Sequence, residues 1–380
     1  MGAIEIAGIG KLDGKVSTLQ TQMDDLRSGQ AKNIVRNFIL GLDGEKDASL
    51  LDDYLQDSIY SRGWRAVLSS PDDLGMIFQV GVATKAVFSS PVAMGDFADN
   101  KKAMDLWVAD SGLVERASDV TVAVEAISSS DVAMGVLASD STAMNTFASN
   151  PSVLDLLEAS PVATAAIASS KMAAGKYIAG QSGLDPTSYS DLSAITKDSS
   201  AMEAASNSQE AMDMVASNSG LMEAVLSSSA AVTALDNTSP IKVPEITEDD
   251  PRVIFSGQHS SNHAFRAFDR NASNTWAQRG LATNGAWVGW EFDNPVWCYK
   301  VEFRNTNVNL DNPDGVVIEG ADSVDGEWEE AAAITLGSSS SLFSRTMETG
   351  VGRKKFWRLR TTRGTVNEQY GFSILQFYCK

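Results

Sequence analysis

At 380 residues with 43% hydrophobic side chains, the chain holds enough apolar material for two or three packed domains, which excludes global disorder. Its formal charge of −19 is concentrated in residues 1–240, where 15 Lys+Arg face 31 Asp+Glu, against 15 and 18 in residues 241–380. So acidic a surface repels phosphate backbones and anionic lipid, and no apolar run nears the roughly 20 residues that span a bilayer; neither nucleic-acid binding nor membrane insertion is expected.

Met1-Gly-Ala-Ile-Glu lacks a basic stretch followed by an apolar core, so it does not read as a secretory signal, and synthesis in a cytoplasm is expected. Leu12, Val16, Leu19, Met23 and Leu26 then follow a 4-3-4-3 spacing with polar residues between. Two readings of this seam are open: a short coiled coil joining identical chains, or one amphipathic helix lying on the apolar clusters Ile34-Val35 and Phe38-Ile39-Leu40. Residues 1–66 are taken as an N-terminal attachment segment.

From Val67 an apolar residue returns every ten positions, at Ile77, Val87, Phe97, Trp107, Ala117, Ile127, Leu137, Phe147, Leu157, Ile167 and Tyr177. After an insertion around Gly183, Asp185 and Pro186 the series resumes at Ile195, Ala205, Val215, Val225 and Leu235. In most units a helix-capping residue stands three places after the marker: Ser70, Ser90, Asn100, Asp110, Ser130, Asp140, Asn150, Ser160, Asp198, Ser208, Asn218 and Ser228. Pro71, Pro91, Pro151 and Pro161 fall one place later, where proline loses only a donor that a helix start leaves orphaned. Ala-Met pairs such as Ala93-Met94 and Ala143-Met144 fill the inner face.

Each decapeptide in residues 67–240 thus predicts a two-turn helix between caps. Helices below about 12 residues are marginal alone, so neighbouring units must bury each other's stripe, in a solenoid or an intertwined shaft. Such decapeptides resemble runs in fibre and tail components of tailed-bacteriophage virions. That resemblance implies a homo-oligomeric virion appendage, made in a host cytoplasm and docked to other virion proteins through its N-terminus. A trimer is expected, since fibres are commonly threefold.

Residues 241–251, with Pro244 and Pro251, predict an extended linker that few contacts cross. Beyond it, short aromatic and β-branched runs between Gly, Asn and Asp turns predict an antiparallel β-sandwich over residues 252–380, with Trp276, Trp287 and Trp357 in its core. Cys298 and Cys379 are too few for a disulfide framework and read as buried free thiols, their pairing left open. The predicted class is therefore multidomain α + β: a helical or coiled-coil segment, an α-helical ten-residue-repeat solenoid or shaft, and a C-terminal antiparallel sandwich.

Ala267-Phe-Asp-Arg-Asn-Ala-Ser-Asn-Thr-Trp276, Trp287-Val-Gly-Trp-Glu-Phe-Asp-Asn-Pro-Val296, Val317-Ile-Glu-Gly-Ala-Asp-Ser-Val-Asp-Gly-Glu-Trp328 and Phe356-Trp-Arg-Leu-Arg360 occur in that order. They resemble the motifs of the discoidin-like domains, the coagulation factor 5/8 C-type fold shared by family 32 carbohydrate-binding modules. The resemblance implies a galactose-binding-like jelly roll that takes host-surface carbohydrate on loops at one end, for which His259, His263, Arg279, Asn284 and Trp328 are the candidates. It also implies a possible structural calcium held by the loop of Asp269, Asn271 and Thr275 and by a last-strand glutamate. Gln376 replaces that glutamate here, which weakens a site that needs several charged oxygens; a loop held by its own Asx turns is the alternative. No other cofactor is expected.

His259 and His263 lie in a Ser/Asn/Gly-rich loop with no third metal-ligand pattern, and no nucleophile elbow, P-loop or dinucleotide fingerprint occurs. No enzyme is expected. The reading is a virion appendage with a carbohydrate-binding terminal domain. The alternatives are a cellular surface or secreted carbohydrate-targeting protein, and a sandwich that serves only as a docking or capping module.

Overall fold

A computed structural model describes residues 29–258, 262–279, 285–305, 315–336, 342–362 and 369–380. The seam Leu12–Leu26 lies outside the described residues. The chain divides into two compact units, Met1–Ala173 and Ala174–Lys380.

In the first unit, residues 29–40 form a helix, followed by helices Ala48–Leu55 and Ser58–Leu68 and then by short decapeptide helices from Pro71–Phe78 to Pro161–Ala168. The reason for each start is local. Every expected cap of both units except Ser70 accepts a hydrogen bond from the backbone of its own first turn, and the four prolines occupy that turn. Ser70 instead donates to Asp73 Oδ2 at 2.6 Å.

The packing partner of a repeat is the unit three along, besides its sequence neighbours. Pro91–Ala98 packs on Thr121–Ser129, Lys101–Val108 on Asp131–Leu137, and Ser111–Ser118 on Ser141–Ala148. Three helices therefore complete one superhelical turn. This corrects the expectation that a repeat meets mainly its sequence neighbours or counterparts in other chains. All the decapeptide markers from Val67 to Ile167 are buried, with the Ala-Met pairs beside them. Phe78, Phe88 and Phe97 form one aromatic cluster with centroids 6.0–6.3 Å apart, and Trp107 meets Phe147 edge-on at 5.8 Å.

The second unit repeats this pattern over five helices, Leu192–Lys197 to Ser229–Asn237, the first packing on the fourth and the second on the fifth. It continues into ten strands: β1 Ile241–Lys242, β2 Val253–Phe255, β3 Trp276–Arg279, β4 Trp287–Val296, β5 Cys298–Asn305, β6 Gly315–Ala321, β7 Glu329–Thr335, β8 Leu342–Thr346, β9 Lys354–Thr361 and β10 Gln369–Cys379. One antiparallel sheet runs β1-β10-β5-β8 with β3 also on β10; the other runs β2-β4-β9-β6-β7. Trp276, Trp290, Trp297, Trp357, Tyr299 and Phe372 are buried between them.

Three expectations change here. Cys298 and Cys379 stand opposite each other in the β5–β10 register and are joined by a disulfide, not held as free thiols. Trp287 is half-buried on the outer face of its sheet rather than in the core: it lies three residues from buried Trp290, and strand side chains alternate. The sandwich is also bound to the last repeats rather than hung on a linker that few contacts cross. Asp236 accepts from the Tyr299 hydroxyl at 3.1 Å and from Lys300 Nζ at 2.7 Å. The Lys380 ammonium donates to Ser206 O at 3.2 Å, to Thr238 Oγ1 at 2.9 Å and to Thr238 O. A Cβ on Gly350 would fall 2.6 Å from the Ser219 carbonyl oxygen, so only glycine permits that approach.

Candidate functional site

The strand registers sort the sandwich into two ends. Phe255 pairs with Val288, Trp287 with Arg360, Val317 with Arg360, and Gly315 with Thr335. In the other sheet Gln369 pairs with Arg279, Phe372 with Asn305, and Arg304 with Leu342. The end of β2, both ends of the β3–β4 connection, the end of β5 and start of β6, and both ends of the β9–β10 connection therefore gather at one end. The contacts to the repeats come from the opposite ends of the strands, at the start of β5 and the last residue of the chain.

The loop end is pinned where it meets the sheets. Trp276 Nε1 donates to Gly257 O at 2.9 Å, and the Ser256 amide donates to Trp287 O at 3.0 Å. The Ala286 amide donates to Thr361 Oγ1 at 2.9 Å. Gly285 has φ +71, and a Cβ there would stand 2.0 Å from Thr361 O, so this junction requires glycine twice over.

His263 precedes a 3-10 helix, Ala264–Ala267, whose first amide donates to Gln258 Oε1 at 3.2 Å just beyond β2; His263 Nδ1 is 3.9 Å from Asp249 Oδ1, before β2, and its ring 5.7 Å from Phe265. Arg279 is the last residue of β3, so its backbone belongs to the loop end. His259 and Asn284 lie outside the described residues.

Trp328 is not grouped with these. It sits in the turn after β6, which springs from the opposite end, and it lies on the sheet's outer face with its ring 3.8 Å from the Arg358 guanidinium and 6.2 Å from Trp287. Beneath this stack, buried Glu319 accepts from Arg358 Nε at 2.6 Å and from Arg360 Nη2 at 2.6 Å. Sequence reasoning missed this layer. Strand alternation in Trp357-Arg358-Leu359-Arg360 was the available signal, since it sends both arginines to the face that Trp287 occupies.

Of the residues proposed for calcium, Thr275 is half-buried just before β3, and Asp269, Asn271 and Gln376 are engaged otherwise. Asp269 Oδ1 accepts from the Asn271 amide at 2.9 Å, and Oδ2 from Asn274 Nδ2 at 2.6 Å. Asn271 Oδ1 accepts from the Ser273 amide at 3.0 Å, so consecutive Asx turns hold the loop. Gln376 Oε1 accepts from Arg270 Nη2 at 2.9 Å, which puts a guanidinium on the oxygen that a cation would need. This donor set does not fit the ion. Among the described residues, no cluster of three or more His, Cys, Asp or Glu side chains could hold a metal.

No family model and no curated protein matches the chain. Solved structures similar to part of it include the family 62 carbohydrate-binding module of Clostridium thermocellum Xyl5A, 21% identical over 36% of this chain and 98% of that one, with a TM-score of 0.29. The F5/8 type C domain of a Bacteroides fragilis protein is 18% identical over 33% of this chain and 89% of that one, with a TM-score of 0.28. The family 32 module of Clostridium perfringens NanJ, solved with galactose, is 11% identical over 33% of this chain and 91% of that one, also at 0.28.

Proposed function

We propose that this chain is a non-catalytic carbohydrate-binding protein whose helical repeats carry the sandwich and whose loop end, with His263 and the segments bearing His259, Arg279 and Asn284, takes the glycan. The observation behind this reading is the polarity of the sandwich. Tyr299, Lys300 and Lys380 fix one end to the repeats, so among the described residues these contacts to the repeats lie away from the other strand ends. Imidazole, guanidinium and amide groups suit sugar hydroxyls, and weak single-site binding gains through several copies. The test is a glycan array and bacterial adsorption assay with the full chain, wild type against His263→Ala/Arg279→Ala. Loss of binding at unchanged melting temperature supports the site; a wild-type chain that binds no glycan refutes the function.

The setting we propose is a virion appendage, on the strength of the decapeptide resemblance. A disulfide in so large a chain fits a protein that works outside a reducing cytoplasm. Immunogold labelling of purified particles decides it: absence from the particle removes the virion role and leaves a cellular surface or secreted protein. A capping role for the sandwich is favoured by the Lys380 and Asp236 contacts, and it coexists with glycan binding because the two use opposite ends.

A further inference from the structure

We propose that Arg270 performs in this chain the structural work that the family resemblance gives to a calcium ion, so that the sandwich needs no cation there. The Arg270 guanidinium donates to Val243 O at 3.2 Å and to Gln376 Oε1 at 2.9 Å. Through its own backbone it also belongs to the loop Asp269–Thr275. One side chain thereby ties together the loop before β3, the segment after β1 and the last strand, adding to the Ile246 amide's bond to Phe268 O at 3.5 Å.

Both partners are built for this contact. Arg270 has φ +52, a left-handed conformation that non-glycine residues seldom adopt, and it swings the side chain out of the loop toward β10. On the other side, β10 is irregular between Ser373 and Gln376, and Ile374 has φ +56, an outlier for a β-branched residue. Gln376 is buried, and its Nε2 donates to Phe377 O at 2.9 Å, so the amide presents Oε1 to the guanidinium. A neutral amide with a planar, permanently charged guanidinium satisfies this arrangement, whereas calcium affinity rises with the number of carboxylates and this set offers one, Asp269. The Asp269 carboxylate is consumed by the Asn271 and Asn274 donors and is not turned toward Gln376's partner.

The experiment is hydrogen exchange of the segment 269–276, with thermal melting, on the full chain after EDTA treatment and again in millimolar calcium chloride. For wild type, calcium is expected to change neither. Arg270→Ala should speed exchange in 269–276 by about tenfold, the loss of a charged hydrogen bond, and calcium should not restore it. Gln376→Glu keeps the fold and offers a carboxylate; with Arg270 present it should slow exchange without acquiring a calcium response. Calcium protection in wild type or in Gln376→Glu, or unchanged exchange in Arg270→Ala, overturns the proposal. If Arg270→Ala does not fold, Gln376→Leu removes the Arg270 acceptor together with the amide's own bond to Phe377 O, and it must loosen 269–276, the Arg270 side of the contact, for the proposal to stand.

Discussion

The Ser130 hydroxyl has the Ala98 carbonyl, 32 positions earlier, at 3.0 Å and the adjacent Asp99 Oδ1 at 2.8 Å as acceptors for its one proton, while accepting from the Ala133 amide of its own helix at 3.2 Å. Ser160 with Ser128, Ser170 with Ala138 and Ser228 with Thr196 repeat the same offset. A cap serine therefore closes its own helix and ties it to the turn below, which is why the joint carries serine so often.

Ser130→Ala should cost about 2 kcal/mol, the sum of a lost cap and a lost cross-turn bond. Ser139→Ala, which removes an exposed hydroxyl bonded only within its own helix, should cost under about 0.5 kcal/mol. Urea unfolding of the full chain compares them. Equal costs would show that the cross-turn bond contributes nothing.

The ten-residue period, the caps and the buried markers were legible because each is set by local chemistry. The partner three helices away was not, because a ten-residue repeat is compatible with many superhelical angles. The angle arises at joints such as Ser89-Ser90, where φ,ψ of −92°,−4° are followed by −95°,112°. The Cys298–Cys379 pairing depends on the β5–β10 register across 81 positions and has no local signature. Trp287 could have been placed correctly from its spacing to Trp290, whereas Arg270 reads in sequence as one more loop residue.

Phe147→Ala should cost about 3–5 kcal/mol, because the ring is fully buried and its removal leaves a cavity beside Trp107. Trp107→Ala should cost as much, and the double variant less than the sum, since each loses the other's edge-on contact. Strict additivity in denaturant melts would show that the two rings are not coupled.

Asp73 gives the first unit an acid-sensitive lock. Burial alone would raise its carboxyl, but hydrogen bonds from Lys32, Ser70 and Arg36 outweigh that and hold its pKa at about 2. A depressed carboxyl contributes stability that is complete above the unfolded value of 3.8 and is lost as pH falls toward about 2, here about 2 kcal/mol. Asp73→Asn should flatten that limb of the stability–pH curve. An unchanged acid limb would assign it to other groups.

Lys300 is largely buried against Asp236, and removing that carboxylate leaves the ammonium with the weaker contacts of Glu302, 3.5 Å away, and the Tyr378 ring, 4.1 Å from its centroid. Asp236→Ala should therefore lower the sandwich's melting transition by about 1–3 kcal/mol. The isolated fragment 241–380, deprived also of Thr238 and Ser206 as acceptors for Lys380, should melt below the same domain in the full chain. Identical transitions for fragment and full chain would mean that the repeats do not support the sandwich.

Trp328 separates stability from recognition. Its indole covers Arg358, whose guanidinium is held between Trp328 and Trp287 and bonded to buried Glu319. Trp328→Ala would strip that cover and the cation–π contact, exposing the ion pair to water, so a loss of about 1–2 kcal/mol is expected. Since Trp328 belongs to the turn after β6 and not to the loop end, glycan affinity should stay within about twofold when measured below the melting transition. His263→Ala should do the opposite, because the imidazole is part-exposed, with Asp249 and Phe265 as its neighbours among the described residues. Affinity should fall while the melting temperature holds. If instead Trp328→Ala abolishes glycan binding in a folded protein and His263→Ala does not, the sugar rests on the outer sheet face, and the proposed site moves from the loop end to the Trp287–Arg358–Trp328 stack.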